Sequence, residues 1–201
     1  MLEALITSVA LDVTAHAACP VAVIRGERAH AGGHDVIVGV DAAETDVAAL
    51  EVAFADARRH GDGVVVVHSR HRTGPYHGHA GERDDRAVAV SRLGADLAPW
   101  TSRYPDVPLR VHVVTGAPAA TLLTAAITAR LLVVGTHGRG ATARVVLGST
   151  SRQVLRRCPV PVIVVDPGVT PEPGGTTGPH PAAGKPHDTG RTERHDRIEL
   201  R

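Results

Sequence analysis

Aromatic side chains are nearly absent from this 201-residue chain: one Phe, one Trp and two Tyr. With so few rings to stack bases on, a single-stranded nucleic-acid binder is excluded. Lysine is scarcer still, since Lys185 is the single one among 22 basic residues. Acids balance the arginines to a formal net charge of +1, and no basic block forms that would steer the chain to nucleic acid. Two cysteines, Cys19 and Cys158, are too few for a disulfide framework. No charged-then-apolar leader opens the chain, so a reducing, cytoplasmic setting is expected. Long apolar runs are also missing, and none approaches the roughly 20 residues that cross a bilayer, so no membrane partner is expected.

What is present is a series of short, valine-rich runs separated by helical patterns. Val36-Ile37-Val38-Gly39-Val40 is followed by Val47, Leu50, Phe54 and Ala57 at helical spacing. After Gly61-Asp62-Gly63 comes Val64 to Val67, then a polar loop, then Val90, Leu93 and Leu97 on one helical face. A third strand, Leu109 to Thr115, leads through Gly116 to a helix with Pro118 in its first turn, where proline's missing N–H is harmless. Leu131 to Val134 is the fourth strand, Ser149 or a neighbour caps a fourth helix, and Val162 to Val165 is the fifth strand.

Strands without polar alternation are buried on both faces, and their alternation with helices requires right-handed crossovers. The expected fold class is α/β, a three-layer open and mostly parallel sheet. Ligands of such sheets sit beyond the carboxyl ends of the strands, where the strand order reverses. Asp41, His68, Ser69, Thr115, Gly116 and the glycine-rich stretch from Gly135 occupy those ends.

Both termini stand apart. From Pro167 onward the chain is rich in Pro, Gly, His and balanced charges, so residues 167–201 read as a disordered tail. The beginning, shifted by 141 positions, lies on the end of the domain without a gap: Ser8 meets Ser149, Val13 meets Val154, Pro20 meets Pro161, Val21 meets Val162 and Val23 meets Val164. Residues 1–26 therefore read as the last helix and strand of a preceding repeat whose body is absent.

The stretch GTHGRGATARVVLGSTS, residues 135–151, follows a buried strand and opens a helix. Glycine lets backbone approach a ligand closely, and a helix N-terminus offers unpaired N–H groups and the positive end of its dipole. Ser149, Thr150 and Ser151 add hydroxyls. A phosphate cradle is one reading; a tight strand-to-helix turn without a ligand is the other. No Gly-Lys-Ser/Thr occurs, which excludes a P-loop. Gly138-x-Gly140-x-x-Ala143 imitates a dinucleotide fingerprint, but it follows the fourth strand rather than the first, and no ribose-binding acid follows at the required distance.

The wider spacing, Gly135-x-x-Gly138, nine residues, Gly148-Ser149, resembles the G-2x-G-9x-G-(S/T) motif of the nucleotide-binding universal stress proteins. Val38-Gly-Val-Asp41, Val66-Val67-His68, Leu131 to Gly135 and Pro161-Val-Ile-Val support the resemblance, which covers residues 35–166. It implies a Rossmann-like fold of the adenine nucleotide alpha hydrolase type, five strands in the order 3-2-1-4-5, with ATP, with or without magnesium, across the carboxyl edge. It also implies nucleotide contacts at Asp41, Ser69, Gly135, His137, Gly138, Gly148, Ser149 and Ser151. Ser69 departs from the usual apolar residue there, and Ala42-Ala43 from the usual small polar pair. A tandem of two such domains is common in the family, which would account for residues 1–26.

The implied function is a nucleotide-dependent stress-response regulatory module. A slow ATP-hydrolysing enzyme and a nucleotide-free stress or scaffold protein are the alternatives, and no catalytic residue stands out. Arg139 and Arg144 read as solvated, and His68 as a satisfied, partly buried histidine. The remaining histidines, His71, His77 and His79 in a loop and those of the tail, match no ligand spacing, so no bound metal is expected. Cys158 reads as packing. In similar proteins last strands pair antiparallel to form a homodimer; here Val21 to Ile24 has the pattern to pair with Val162 to Val165 within the chain and cap that edge.

Overall fold

A valine run buried on both sides has no polar face to offer water, so its stable place is the middle layer of a sheet covered by helices. The computed structural model describes residues 2–24, 33–70, 79–136 and 147–168. It begins with α1 (Leu2–His16) and β1 (Val21–Val23). Then follow β2 (Asp35–Gly39), α2 (Val47–His60), β3 (Gly63–Arg70), α3 (His79–Asp96) and the short α4 (Ala98–Arg103). The domain closes with β4 (Leu109–Thr115), α5 (Pro118–Ala126), β5 (Leu131–Gly135), α6 (Ser149–Arg157) and β6 (Val162–Val165). The tail after Gly168, His71, His77 and the loop 137–146 lie outside the described residues.

The sheet has the order β1-β6-β5-β2-β3-β4. Five strands run parallel, and β1 joins β6 antiparallel, with Val21 opposite Val164 and Val23 opposite Val162. The fold is α/β and mostly parallel, but with six strands in place of the expected five. The strand order differs accordingly, because the added strand comes from the segment before the domain and takes the outer edge of β6. Pairing fills hydrogen-bonding groups on β6 that an edge strand would leave open.

Strand alternation divides the core into two layers. Val36, Val38, Val64, Val66 and Val133 face α2, α3 and α4, where Leu50, Phe54, Leu93 and Leu97 meet them. Ile37, Val65, Val67, Leu132 and Val134 face α5 and α6, where Leu122, Val154 and Leu155 meet them. Gly39 leaves room for this second layer, since a Cβ there would lie 2.9 Å from a Leu122 methyl, which would have to move. Gly61 ends α2 in the left-handed conformation, φ 72°, and sends the chain into β3. Of the α2 positions expected to be apolar contacts, Leu50, Phe54 and Ala57 are buried, while Val47 at the first turn is exposed.

Buried polar groups are paired. Glu51 on α2 accepts from the Tyr104 hydroxyl at 2.6 Å and from Arg103 at 2.9 Å, and Tyr104 stacks on Phe54. Arg130, just before β5, donates to Asp56 and Asp62, tying α2 and its following turn to the amino end of the sheet. Burial works against the Arg130 charge, and the two carboxylates outweigh it.

Burial, then the Glu51 carboxylate, raises the Tyr104 pKa above the ordinary tyrosine value. A folded-state pKa above the unfolded one gives stability that is present below about pH 10 and lost as pH rises through the folded value. Tyr104→Phe is expected to cost about 1.5–3 kcal/mol at neutral pH, for a hydrogen bond to a charged group, and to remove this part of the alkaline loss. Urea unfolding of both proteins at neutral and alkaline pH measures it; equal stability at pH 7 would contradict the pairing.

Candidate functional site

The carboxyl ends of the strands bring the sequence-predicted residues together through register. β2 and β3 pair with Val36 opposite Val64, and β2 and β5 with Val36 opposite Leu131. Continued beyond the last pairs, these registers place Asp41 level with Ser69 on one side and Thr136 on the other. Ser69 donates its hydroxyl to the Gly116 carbonyl at 2.6 Å, which ties the ends of β3 and β4. After β2 the chain turns to one face of the sheet and after β5 to the other, so the edge opens between them at the point where strand order reverses.

Asp46 was not singled out in the sequence. Its buried carboxylate accepts the backbone N–H of Asp41 at 2.8 Å and of Ala42 at 3.1 Å. Although Asp46 stands at the N-cap of α2, its side chain makes no cap bond and instead holds the β2-to-α2 loop. The Asp41 and Ala42 amides are thereby committed inside the loop. His68 is half-buried and its Nδ1 lies 2.9 Å from the Val40 carbonyl, the bond of a satisfied histidine.

On the other side, Gly148 stands at the N-cap of α6, and among the described residues no side chain caps the helix. Its backbone (φ −58°, ψ 159°) is open to any residue, so glycine is there for space: a Cβ would lie 3.3 Å from the Thr136 carbonyl, to which Gly148 N–H donates at 2.8 Å. Ser149 is the first helical residue rather than the cap and is exposed. Ser151 is buried and donates its hydroxyl to the Gly135 carbonyl at 2.7 Å, joining the start of α6 to the end of β5. His137 and Gly138, with Arg139 and Arg144, lie outside the described residues.

Beside Asp41, on the α2–α3 face, is a cavity of about 370 Å³ lined by Asp41, Ala42, Ala43, Glu44, His68, Ala89, Arg92, Leu93 and Asp96. Among the described residues no group of three or more His, Cys, Asp or Glu forms a metal cluster, and no helix is long and apolar enough to cross a membrane. Neither cysteine forms a disulfide; Cys19 is exposed and Cys158 is buried at the end of α6.

The profile of the Universal stress protein family matches residues 34–166. The chain belongs to the universal stress protein family. Universal stress protein Rv2005c of Mycobacterium tuberculosis is 38% identical to it over 169 residues, covering 80% of this chain and 56% of the relative. The chain thus spans about half the length of the curated relatives it matches. Among solved structures, the universal stress protein UspA from Lactobacillus plantarum superposes with a TM-score of 0.55 at 23% identity, over 67% of this chain and 99% of its own. A universal stress protein solved in complex with cAMP shares the fold at 22% identity and TM-score 0.53, over 66% of this chain and 96% of its own.

The Asp46 anchor is read from this chain's own loop. Asp46→Ala removes the acceptor of the part-buried Asp41 amide and the buried Ala42 amide and is expected to destabilise the fold by about 1–3 kcal/mol. Hydrogen exchange at the Asp41 and Ala42 amides should quicken more than exchange in β3. Unchanged protection at those two amides would show that the loop is held by something else.

Proposed function

We propose that this universal stress protein binds an adenine nucleotide, ATP first, between the ends of β2 and β5, and works as a nucleotide-dependent stress-response regulatory module. The observation that carries the reading is the pairing of two unlike ends at one opening. Asp41, level with Ser69 and Thr136, offers a carboxylate to a ribose. Across the opening, α6 begins at a glycine with no side-chain cap among the described residues, which suits a phosphate.

In this reading Gly135, His137, Gly138, Gly148 and Ser149 surround the phosphates and Ser69 lies toward the base. Ser151 contributes its backbone amide, its hydroxyl being engaged with Gly135. Magnesium, if it accompanies ATP, is carried by the phosphates. The family's regulatory role enters through loops 41–46 and 137–147, whose arrangement a bound nucleotide changes for a partner to sense. Residues 1–26 are the end of a preceding universal stress domain; the relatives' greater length and the coverage of 80% of this chain, beyond the family match itself, support that assignment.

Extraction of nucleotide from the purified protein, followed by calorimetric titration with ATP and with cAMP, tests the proposal. Adenine nucleotide is expected in the extract, with ATP binding below millimolar and more tightly than cAMP. Gly148→Val is expected to weaken ATP at least tenfold, about 1.4 kcal/mol or more, and Asp41→Ala to weaken it without changing the melting temperature by more than a few degrees. No nucleotide in the extract, together with no affinity below millimolar, would leave the scaffold alternative standing; steady phosphate release on adding ATP would favour the enzyme.

A further inference from the structure

We propose that the cavity between the β2-to-α2 loop and α3 is a second binding site, and that its ligand is a small molecule of the diamino-acid class, with two ammonium groups and one carboxylate. The inference does not rest on the nucleotide reading, because the cavity lies on the α2–α3 face whereas α6 packs on the other. Its volume of about 370 Å³ falls within the roughly 300–1,000 Å³ of small-molecule sites.

Three elements supply the lining. On α3, Ala89, Arg92, Leu93 and Asp96 stand at helical spacing, so one face of the helix is turned to the cavity. Leu93 is buried and Ala89 half-buried against the core, which makes the base of this wall apolar, while Arg92 and Asp96 are exposed at its mouth. From the β2-to-α2 loop come Ala42 and Ala43, both buried, and Glu44, exposed. That loop is held from within: Asp46 accepts the amides of residues 41 and 42, and the Thr45 amide and hydroxyl both donate to the Ala42 carbonyl at 3.1 Å. β3 supplies His68. A carbonyl only accepts, so the Nδ1 bonded to Val40 carries the hydrogen and Nε2 of the neutral ring is an acceptor.

Charge selects the ligand. Asp41 is shared with the proposed nucleotide edge; the polar groups particular to the cavity are the carboxylates of Glu44 and Asp96, the guanidinium of Arg92 and the His68 ring. Among the described residues Glu44, Arg92 and Asp96 form no ion pair, although Arg92 and Asp96 are one helical turn apart. Two carboxylates and one guanidinium over an apolar base are matched by two ammonium groups and one carboxylate on an aliphatic stem, and the His68 acceptor takes an ammonium N–H. A phosphate would meet the two carboxylates and be repelled. A metal ion does not suit the site either, since among the described residues no group of three His, Cys, Asp or Glu gathers to hold one.

Calorimetric titration of the full chain with L-lysine, norleucine and cadaverine tests the proposal; norleucine lacks the side-chain ammonium and cadaverine the carboxylate. L-lysine is expected to bind below millimolar, and each of the others at least tenfold more weakly. Arg92→Gln should weaken L-lysine and leave cadaverine unchanged, so that the preference between them disappears, and Glu44→Gln/Asp96→Asn should remove the preference over norleucine. These positions are exposed, so the variants keep the fold. Ala89→Phe, which fills the cavity without altering a charge, should abolish binding, while Gly148→Val on the other face should leave it as it is. The Arg92 arm decides the matter even if Ala89→Phe fails to fold. No L-lysine binding below millimolar, or a preference over cadaverine that persists in Arg92→Gln, would overturn the assignment, as would binding that survives in folded Ala89→Phe.

Discussion

The parallel pairing of β2 with β5 is the constraint on which the rest of the carboxyl edge depends. Both strands are buried on both faces, so each must hand its chain to a helix, and the two helices leave to opposite sides of the sheet. The chain therefore leaves the two strand ends toward opposite faces of the sheet. The candidate ligand-contacting residues within the described part of the chain come from the loops, strand ends and first turn of α6 that gather at that edge.

The pairs of Arg130 with Asp56 and Asp62, and of Arg110 with Asp35, lie at the amino end of the sheet, and the Glu51–Tyr104–Arg103 group sits where α2 meets α4. At the carboxyl end the anchors are hydrogen bonds that position backbone: Asp46 to the amides of residues 41 and 42, Ser151 to Gly135, Ser69 to Gly116. Such anchors set loop shape by holding backbone.

The strands and most helices were legible in the residues, because an unbroken Val run and a 3.6-residue period are local signals. The family resemblance was legible for the same reason, resting on spacings within short stretches. Asp46 escaped notice because an aspartate before a helix reads as a cap, and only the fold of the loop turns its carboxylate to residues 41 and 42. Ser151 was read as a ligand donor because a hydroxyl near a helix start is ambiguous until its acceptor, the Gly135 carbonyl 16 residues away, is in place. The short α4 went unseen because its apolar signal is weak and Pro99 in its first turn reads as a break.

By itself the sequence determined an alternating α/β chain with a buried valine sheet, a glycine-framed loop before the last helix, and an opening segment that repeats the domain's end. Those properties depend on hydrophobic period and on residue spacing, which are written along the chain. Tertiary structure decided which edge β1 occupies and which polar groups are consumed internally. Each of these depends on partners far apart in sequence, and hydrogen-bond donors and buried surface acquire their roles only when those partners meet.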